Sequence, residues 1–161
     1  MTTIRILGPG DSAVLEHVTE GVFDNAVDPR WTAEFLADSR HHLAVAVADG
    51  QVVGMASAVH YIHPDKPPEL WINEVGVAPT HRGLGIGRRL LDALFERGRS
   101  LGCRQAWVAT GPANVAARRL YAAAGGKESL GWTAPQHLYR SRWHEVLRAA
   151  GRFADSIRRH E

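Results

Sequence analysis

A glycine-rich turn between an apolar run and an amphipathic segment constrains this chain more than any other feature. The run from Leu70 to Val77 is rich in β-branched residues and is closed by Pro79, which predicts a strand. After the turn, apolar residues recur at helical spacing while charged residues fill the other positions, which predicts a helix packed on a sheet. The apolar residues are Leu90, Leu91, Leu94, Phe95 and Leu101.

Three glycines stand where the predicted strand passes into this helix: Gly83, Gly85 and Gly87. Without a Cβ, a glycine lets the backbone turn sharply and lets a ligand approach closely. The first amides of a helix have no intrahelical partner, and the macrodipole makes that end positive. The turn therefore predicts a phosphate or diphosphate site, with Arg82, Arg88 and Arg89 as added cations or as solvated helix residues.

Three known sequence patterns of phosphate-binding loops are candidates for this turn. A Walker loop needs Gly, four residues, then Gly-Lys and Ser or Thr, and the sequence has no such run. A dinucleotide fingerprint needs a glycine at position 88, which is Arg88, and an acid about 20 residues on, where 101–109 has none. A third pattern is Arg or Gln, two residues, Gly, one residue, then Gly or Ala. Arg82, Gly85 and Gly87 match it.

This third pattern resembles the diphosphate-binding loop of the GNAT superfamily of N-acetyltransferases. A second motif follows a buried-strand run at 106–109: Asn114, Ala117 and Tyr121 lie three and then four residues apart, on one helical face. It resembles the family's Asn and Tyr helix. The likeness covers about residues 4–139 and is strongest over 69–125. It implies acetyl-coenzyme A (acetyl-CoA) as co-substrate, bound by Val75, Gly76, Val77, Arg82, Gly83, Gly85, Ile86, Gly87, Arg88, Asn114 and Ala117.

Acyl transfer from a thioester to an amine needs a neutral amine, a polarised carbonyl and a protonated leaving thiol. Gly76 interrupts its strand, which indicates either a β-bulge or a close ligand. The resemblance implies that the pantetheine arm pairs with this strand as an added strand would. Glu74 is a carboxylate in an apolar strand, so it is either solvated, orients the acceptor or acts as the general base. Glu69 and His60 are the other candidates for the base.

Tyr121 is the predicted general acid. A thiol has a pKa of about 8.5 and a phenol about 10, so a tyrosine near the leaving sulfur remains protonated at neutral pH and can donate its proton. The resemblance implies this position for Tyr121. The alternative is a tyrosine whose ring only packs in the core.

The acceptor is indicated by acids in the segment between the first two predicted strands. Seven acids stand there against Arg30 alone before Arg40: Asp11, Glu16, Glu20, Asp24, Asp28, Glu34 and Asp38. This favours a cationic acceptor, although solvated helix faces give the same composition. Asp24, Asp28 and Glu69 are the candidate acceptor-binding residues.

A narrower likeness, to type I aminoglycoside 3-N-acetyltransferases, rests on the run 52–54, a proline-containing loop, Glu69 and an acid eight residues before Arg82. That family carries Asp where this chain has Glu74. The likeness implies acetylation of an aminoglycoside amine, a reaction of antibiotic resistance. We therefore predict an acetyl-CoA-dependent N-acetyltransferase for a small cationic amine, with protein N-termini, lysines, metabolites or a non-catalytic acetyl-CoA sensor as alternatives.

Length and composition fit one globular domain, and the order of the predicted elements makes it an α/β domain with an extra helix. The chain has 161 residues, 45% of them hydrophobic, and a net charge of +2, which gives no reason to expect nucleic acid as a partner. Without a long apolar segment, it is expected to be cytoplasmic and not bound to a membrane. No metal cluster is visible. Cys103 is the single cysteine, which excludes an intrachain disulfide and leaves a small apolar residue or a nucleophile.

The order of predicted elements favours a mixed sheet with helices on its faces, the layout that the GNAT resemblance also implies. The predicted strands cover residues 4–7, 43–48, 52–61, 70–77, 106–109, 127–130 and 136–141, and the predicted helices end near 20, 38, 101 and 125. We predict an acetyltransferase domain over 1–142. An amphipathic helix over 143–161 would pack on that domain or form a homodimer contact.

Overall fold

The computed structural model describes residues 1–130 and 137–142, with side chains described over 1–128. This part of the chain forms seven strands, three α-helices and two 3₁₀ turns. The strands are β1 (Thr3–Leu7), β2 (His41–Ala48), β3 (Gln51–Tyr61), β4 (Glu69–Val77), β5 (Gln105–Thr110), β6 (Lys127–Leu130) and β7 (His137–Arg142). The helices are α1 (Pro29–Ala37), α2 (Ile86–Ser100) and α3 (Val115–Ala123), and the 3₁₀ turns are Ser12–Glu16 and Pro79–His81.

One mixed sheet contains all seven strands, in the order β1-β2-β3-β4-β5-β7-β6. Only the β4–β5 pair is parallel, and the other neighbours are antiparallel. The predicted mixed α/β sheet is therefore confirmed. The strands predicted over 43–48 and 52–61 are present as β2 and β3, which form a hairpin whose turn residues Asp49 and Gly50 have φ angles of 50° and 80°. Positive φ at both turn residues matches the twist of the two strands.

The sheet is covered on both faces, and β2 shows how. Ala44, Ala46 and Ala48 belong to a buried cluster with the apolar face of α2. Leu43 and Val45, one residue out of phase, belong to a second cluster with the first 3₁₀ turn and α1. Side chains of a strand alternate between faces, so this continuous apolar run supplies both clusters.

Helix α2 forms the larger part of the first cluster. Leu90, Leu91 and Leu94 are each 0% exposed. Burial of a leucine side chain contributes about 1.5–3 kcal/mol, so these three residues anchor the helix firmly against the sheet. As a result, the N-terminal end of α2 is held at a fixed place beside the end of β4.

The predicted helix from about residue 12 to 20 is wrong. Only a five-residue 3₁₀ turn forms there, with no side-chain cap. Asp11 accepts hydrogen bonds from the Gly8 amide at 2.9 Å and from Arg5 at 3.1 Å instead of capping a helix. Beyond the turn, the His17 carbonyl and the Thr19 amide bond with Val52 at 2.8 and 2.9 Å. Pairing with β3 therefore replaces the hydrogen bonds that a longer helix would need.

Two other expectations concern the end of the chain. The predicted last strand, over 136–141, is present as β7 across the described residues 137–142. The amphipathic helix expected over 143–161 lies outside the described residues. No helix among residues 1–130 is long and apolar enough to span a bilayer.

Candidate active site

The sheet opens between β4 and β5, and this opening creates the site. The two strands pair only where Leu70, Trp71 and Ile72 face residues 106–108. Beyond Ile72, the register of β4 against β3 shifts, because Ser57 pairs with Glu74 and the next residue of β3 pairs with Ile72. An extra residue in one strand is a β-bulge, which bends the strand. The C-terminal half of β4 therefore keeps β3 on one edge and faces a cleft with the other.

The glycine-rich turn lies at one end of this cleft. Gly85 is the residue before α2, and its φ of 74° is in the left-handed region that suits glycine. No side chain caps the helix, and its first turn contains no acidic residue. The first intrahelical bond runs from the Arg89 amide to the Gly85 carbonyl at 3.2 Å. The preceding amides of α2 therefore have no partner within the helix, as an anion site requires.

Two arginines hold this turn in place. The Arg82 Nε donates to the Val77 carbonyl at 3.1 Å and so ties the turn to the end of β4. Arg88 Nε donates to both carboxylate oxygens of Asp92 at 2.9 and 3.0 Å, and its guanidinium also bonds to the Ala123 carbonyl at the end of α3. Asp92 offsets part of the charge of Arg88, so Arg82 is the stronger cation of the two for a phosphate.

The cleft between β4, α2 and α3 has a cavity volume of about 530 Å³. It brings together every residue that the sequence assigned to the co-substrate. The lining includes Val75, Gly76, Val77, Arg82, Gly83, Gly85, Ile86, Gly87, Arg88, Asn114 and Ala117. Glu74, Tyr121 and Asp24 line it too. We call this space the donor cleft.

Gly76 sits in the donor cleft for a reason that the sequence did not give. It pairs in register with Met55, so the bulge lies elsewhere in β4. A Cβ at Gly76 would stand 2.0 Å from the Val22 carbonyl oxygen. Only glycine allows the loop at Val22 to cross the strand this closely. The crossing loop also lines the cleft, through Gly21 and Val22.

Tyr121 and Asn114 reach the cleft from α3. Asn114 precedes the helix, and its side-chain oxygen accepts from the Ala117 amide at 3.1 Å, so it is a helix cap as well as a lining residue. Tyr121 lies two turns further on and is 7% exposed. Burial raises its pKa above the ordinary value, because the charged phenolate is poorly solvated there. The phenol is therefore a proton donor at neutral pH.

Glu74 also lines the donor cleft and is half-buried. Its pKa is raised, first by burial and then by the neighbouring negative charge of Asp24. A carboxylate with a raised pKa is a better proton acceptor than an ordinary surface glutamate. The cleft is thus cationic near Arg82 and anionic near Glu74.

The other candidates for base and nucleophile lie in different surroundings. Glu69, at the start of β4, accepts hydrogen bonds from Lys66 at 3.0 Å, from Trp107 at 3.0 Å and from Gln105. Burial works to raise its pKa, but these bonds and the Lys66 charge outweigh it and lower the pKa. His60 contacts His42 at 2.9 Å. Cys103 is buried in the first cluster, and burial raises its pKa, which disfavours the thiolate.

A second cavity, of about 310 Å³, adjoins the other side of Glu74. It lies between α1, β2 and the segment before α1. Its lining is Leu15, Phe23, Asn25, Ala26, Val27, Asp28, Trp31, Thr32, Phe35, Leu36, Leu43, Ser57 and Glu74. We call it the acceptor pocket. Glu74 lines both cavities, so this residue stands where they meet.

The three candidate acceptor-binding residues do not lie together in one cavity. Asp24 lines the donor cleft, while Asp28 lines the acceptor pocket and also caps α1 through bonds from the Arg30 and Trp31 amides at 2.8 and 3.4 Å. Glu69 lines neither cavity. Among the described residues, no three His, Cys, Asp or Glu side chains form a group that could hold a metal ion.

Sequence reasoning missed the aromatic wall of the acceptor pocket and the loop at Val22. Phe23, Trp31 and Phe35 lie in segments that show no motif, and they meet only because the 3₁₀ turn and α1 pack on the same face of the sheet. Their one sequence signal is the amphipathic spacing of α1, which predicts burial and not a ligand.

The donor cleft fits acetyl-CoA on its own chemistry. The turn before α2 offers unpartnered amides, the positive end of a helix and Arg82, which together suit a diphosphate. The free edge of β4 offers backbone groups for a strand-like arm. Space is open around Gly83 and Gly85, where an added Cβ would have no neighbour within 4 Å.

Comparison with known proteins assigns the chain to a family. The model of the acetyltransferase (GNAT) family matches residues 13–125, which include β4, the glycine-rich turn and all of α3. This chain belongs to the GNAT acetyltransferase family. The resemblance on the two motifs is thereby confirmed.

Relatives of this GNAT chain include enzymes for small amines. An aminoglycoside N(6')-acetyltransferase type 1 from Stenotrophomonas maltophilia is 30% identical over 133 residues, covering 79% of this chain and 87% of that protein. An L-2,4-diaminobutyric acid acetyltransferase from Streptomyces coelicolor is 33% identical over 92 residues, covering 56% and 51%. The aminoglycoside enzyme is named for the 6' position, whereas the sequence likeness was to 3-N enzymes. The chain spans 40% to 65% of the length of the first four curated relatives it matches.

Solved structures share the GNAT fold. The structure of yncA from Salmonella typhimurium with its cofactor acetyl-CoA has a TM-score of 0.67 and 22% identity, covering 91% of this chain and 96% of that one. At this identity the likeness establishes the fold alone. It confirms the predicted GNAT-like arrangement of sheet and helices.

Proposed function

We propose that this chain moves the acetyl group of acetyl-CoA to a primary amine of a cationic small molecule by direct attack. One observation carries the proposal: Glu74 stands at the meeting point of the donor cleft and the acceptor pocket. A group in that position can act on a nucleophile from one cavity and an acyl group from the other. Family membership supports the donor, since the GNAT family is one of acetyltransferases.

The residues divide the work as follows. Acetyl-CoA supplies the thioester when bound, with its diphosphate at the amides of residues 83–88 and Arg82, and its pantetheine arm along Val75, Gly76 and Val77. Glu74 accepts the proton that the amine loses. Its raised pKa suits this task, because a general base works best with a pKa near the operating pH. Backbone amides of β4 stabilise the negative charge that develops on the thioester oxygen.

Tyr121 provides the second proton transfer. The departing thiolate needs a proton at neutral pH, and the phenol retains one because burial raises its pKa. The base and the acid line the same cleft but come from different elements, β4 and α3. Their roles are distinct. A raised pKa makes the Glu74 carboxylate a better proton acceptor, and a raised pKa keeps the Tyr121 phenol protonated so that it can donate.

The class of acceptor is supported by the named relatives and by charge. Aminoglycosides, diaminobutyric acid and streptothricin are the acceptors in the names of relatives, and each name is evidence about that relative only. Glu74, with the neighbouring charge of Asp24, provides negative charge where the amine would meet the donor cleft. An aminoglycoside is the first acceptor to test, followed by protein N-termini or lysines and then amino acids or other metabolites.

The test measures release of coenzyme A thiol from acetyl-CoA across a panel of amines. We expect turnover with at least one small amine and a loss of 100-fold or more in kcat for Glu74→Gln, in line with the 10²–10⁴-fold typical of general base catalysis. Glu16→Gln, at an exposed position outside both cavities, is the matched control. Glu69→Gln tests one of the other two candidate bases.

Two results would reject the proposal. Binding of acetyl-CoA without thiol release for any amine would favour a sensor that binds the compound and does not turn it over. Equal losses of kcat in Glu74→Gln and Glu16→Gln would exclude Glu74 as the base.

A further inference from the structure

We infer that the acceptor pocket selects a compact primary amine whose nitrogen is carried on an aromatic or branched aliphatic body, in preference to a polyamine or an amino sugar. The inference rests on the proposed function, because it names the acceptor class of that same site. It follows from the wall of the pocket, the placement of its carboxylates and its size.

The wall of the acceptor pocket is mainly apolar. Eight of its thirteen lining residues are hydrophobic, and three of these are aromatic: Phe23, Trp31 and Phe35. Trp31 is 58% exposed, with the Arg30 guanidinium 4.9 Å from its ring centroid, and it adds apolar surface to the pocket lining. A hydroxylated or multiply charged ligand would lose hydrogen bonds to water against this wall without replacing them. An apolar body gains free energy by leaving water there.

Carboxylates are few and lie in two places. Of the described residues that line the pocket, only Glu74 and Asp28 are acidic. One oxygen of Asp28 already accepts the two amides that begin α1. Glu74 is therefore the carboxylate suited to an ammonium, at the inner end that adjoins the donor cleft. The arrangement complements one amine at the end of an apolar body.

Most of the other acids expected to attract a polycation lie elsewhere. Asp11 pairs with Arg5 at 3.1 Å and Asp38 pairs with Arg40 at 2.9 Å. Glu16, Glu20 and Glu34 are exposed and line neither cavity. The acidic composition of this segment is thus mainly on the surface, as the alternative interpretation of the sequence held.

The volume of the acceptor pocket also favours a compact amine. Pockets for small ligands range from about 300 to 1,000 Å³, and this one, at about 310 Å³, lies at the lower limit. A single ring with a short amine-bearing chain suits that volume. A multi-ring amino sugar would have to leave most of its surface outside the pocket.

The experiment compares kcat/KM for four acceptors with the whole chain and saturating acetyl-CoA. The apolar monoamines are 2-phenylethylamine and 3-methylbutylamine, and the polar polyamines are spermidine and kanamycin. We expect roughly tenfold or greater preference for the monoamines. Preference for spermidine or kanamycin would overturn the inference and leave the proposed function standing. Absence of transfer to all four and to the wider amine panel would overturn the proposed function itself.

Two variants test the wall directly. Trp31→Ala should raise KM for 2-phenylethylamine roughly tenfold with little change in kcat, while Tyr61→Ala, at an exposed aromatic outside the pocket, should not. Ala26→Asp places a third carboxylate at an exposed position of the lining and should move the preference toward spermidine. An unchanged KM in Trp31→Ala, or an unchanged preference in Ala26→Asp, would refute recognition by this wall.

Discussion

Acidification should destabilise this protein through His42, a histidine inside the sheet that is buried as the neutral form. His42 is 2% exposed on β2, and its Nε2 lies 2.9 Å from His60 Nδ1, with the two rings stacked. Burial lowers its pKa to about 4, helped by the positive charges that His60, Arg97 and His41 carry when protonated. If both rings of this stacked pair were protonated, two positive charges would lie close together in a poorly solvated site.

The sign and size of this change in folding stability follow from proton linkage. In the unfolded chain a histidine has a pKa of about 6.5, so between pH 6.5 and 4 the unfolded state binds more protons than the folded state. Stability is therefore fully present above pH 6.5 and falls as the pH is lowered toward 4. The pKa difference corresponds to about 3 kcal/mol in total, and the loss between pH 7.5 and pH 5 is about 2 kcal/mol. This is a large share of the 5–15 kcal/mol typical of a domain.

Urea denaturation at pH 7.5 and pH 5 measures the effect. His42→Gln keeps a polar group beside His60 but does not titrate, so this variant should lose about 2 kcal/mol less than the wild type over that interval. His17→Gln, at an exposed position, is the control and should follow the wild type. If His42→Gln loses as much stability on acidification as the wild type, burial of a neutral His42 is refuted.

Three further predictions concern the site. Tyr121→Phe should lower kcat by 10-fold or more with little change in acetyl-CoA affinity, as measured by thiol release and calorimetry; an unchanged kcat would remove Tyr121 from the mechanism. In the profile of kcat/KM against pH, the acid limb should fall at a pH above the pKa range of an ordinary carboxylate, because burial and Asp24 raise the pKa of Glu74. Asp24→Asn removes the neighbouring charge and should move that limb to lower pH. A limb that stays in place would contradict the coupling of these carboxylates. Gly76→Ala should cost at least about 1–3 kcal/mol of stability, because the new Cβ would overlap the Val22 carbonyl oxygen, whereas Gly111→Ala meets open space and should cost less. Equal losses in thermal denaturation would refute the close crossing at Gly76.

The sequence by itself determined the features that depend on local spacing. The strand that becomes β4, the glycine-rich turn and the amphipathic face of α2 follow from residues close together in the chain, and the structure places them as expected. The same holds for the spacing of Ala117 and Tyr121 on α3, whereas Asn114, predicted on the same helical face, is the cap that precedes the helix. These elements are set by side-chain periodicity and by backbone limits such as positive φ at Gly85, which nearby residues control.

The helix predicted from about residue 12 to 20 does not form, and it shows what a prediction from neighbouring residues leaves out. Its helical pattern is real, but its backbone bonds go to Val52 on a strand more than thirty residues away. A prediction from neighbouring residues cannot include that competitor, because propensity is a weak preference that tertiary hydrogen bonds override. The pKa values of Glu69 and Glu74 on the same strand also shift in opposite directions for partly tertiary reasons. Burial acts to raise both, but Lys66 and the distant Gln105 lower the pKa of Glu69, whereas the distant Asp24 raises the pKa of Glu74 further.

Tertiary structure alone decided the acceptor side of the molecule. The opening of the sheet beyond Ile72, the loop that crosses Gly76 and the aromatic wall around Trp31 each depend on segments that are remote in sequence. A pocket is a space between packed elements, and its walls are fixed by how those elements approach, which no single stretch of residues encodes. The glycine-rich turn is recognisable from its own residues, but only the folded sheet places Glu74 both in the cleft beside that turn and in a second cavity.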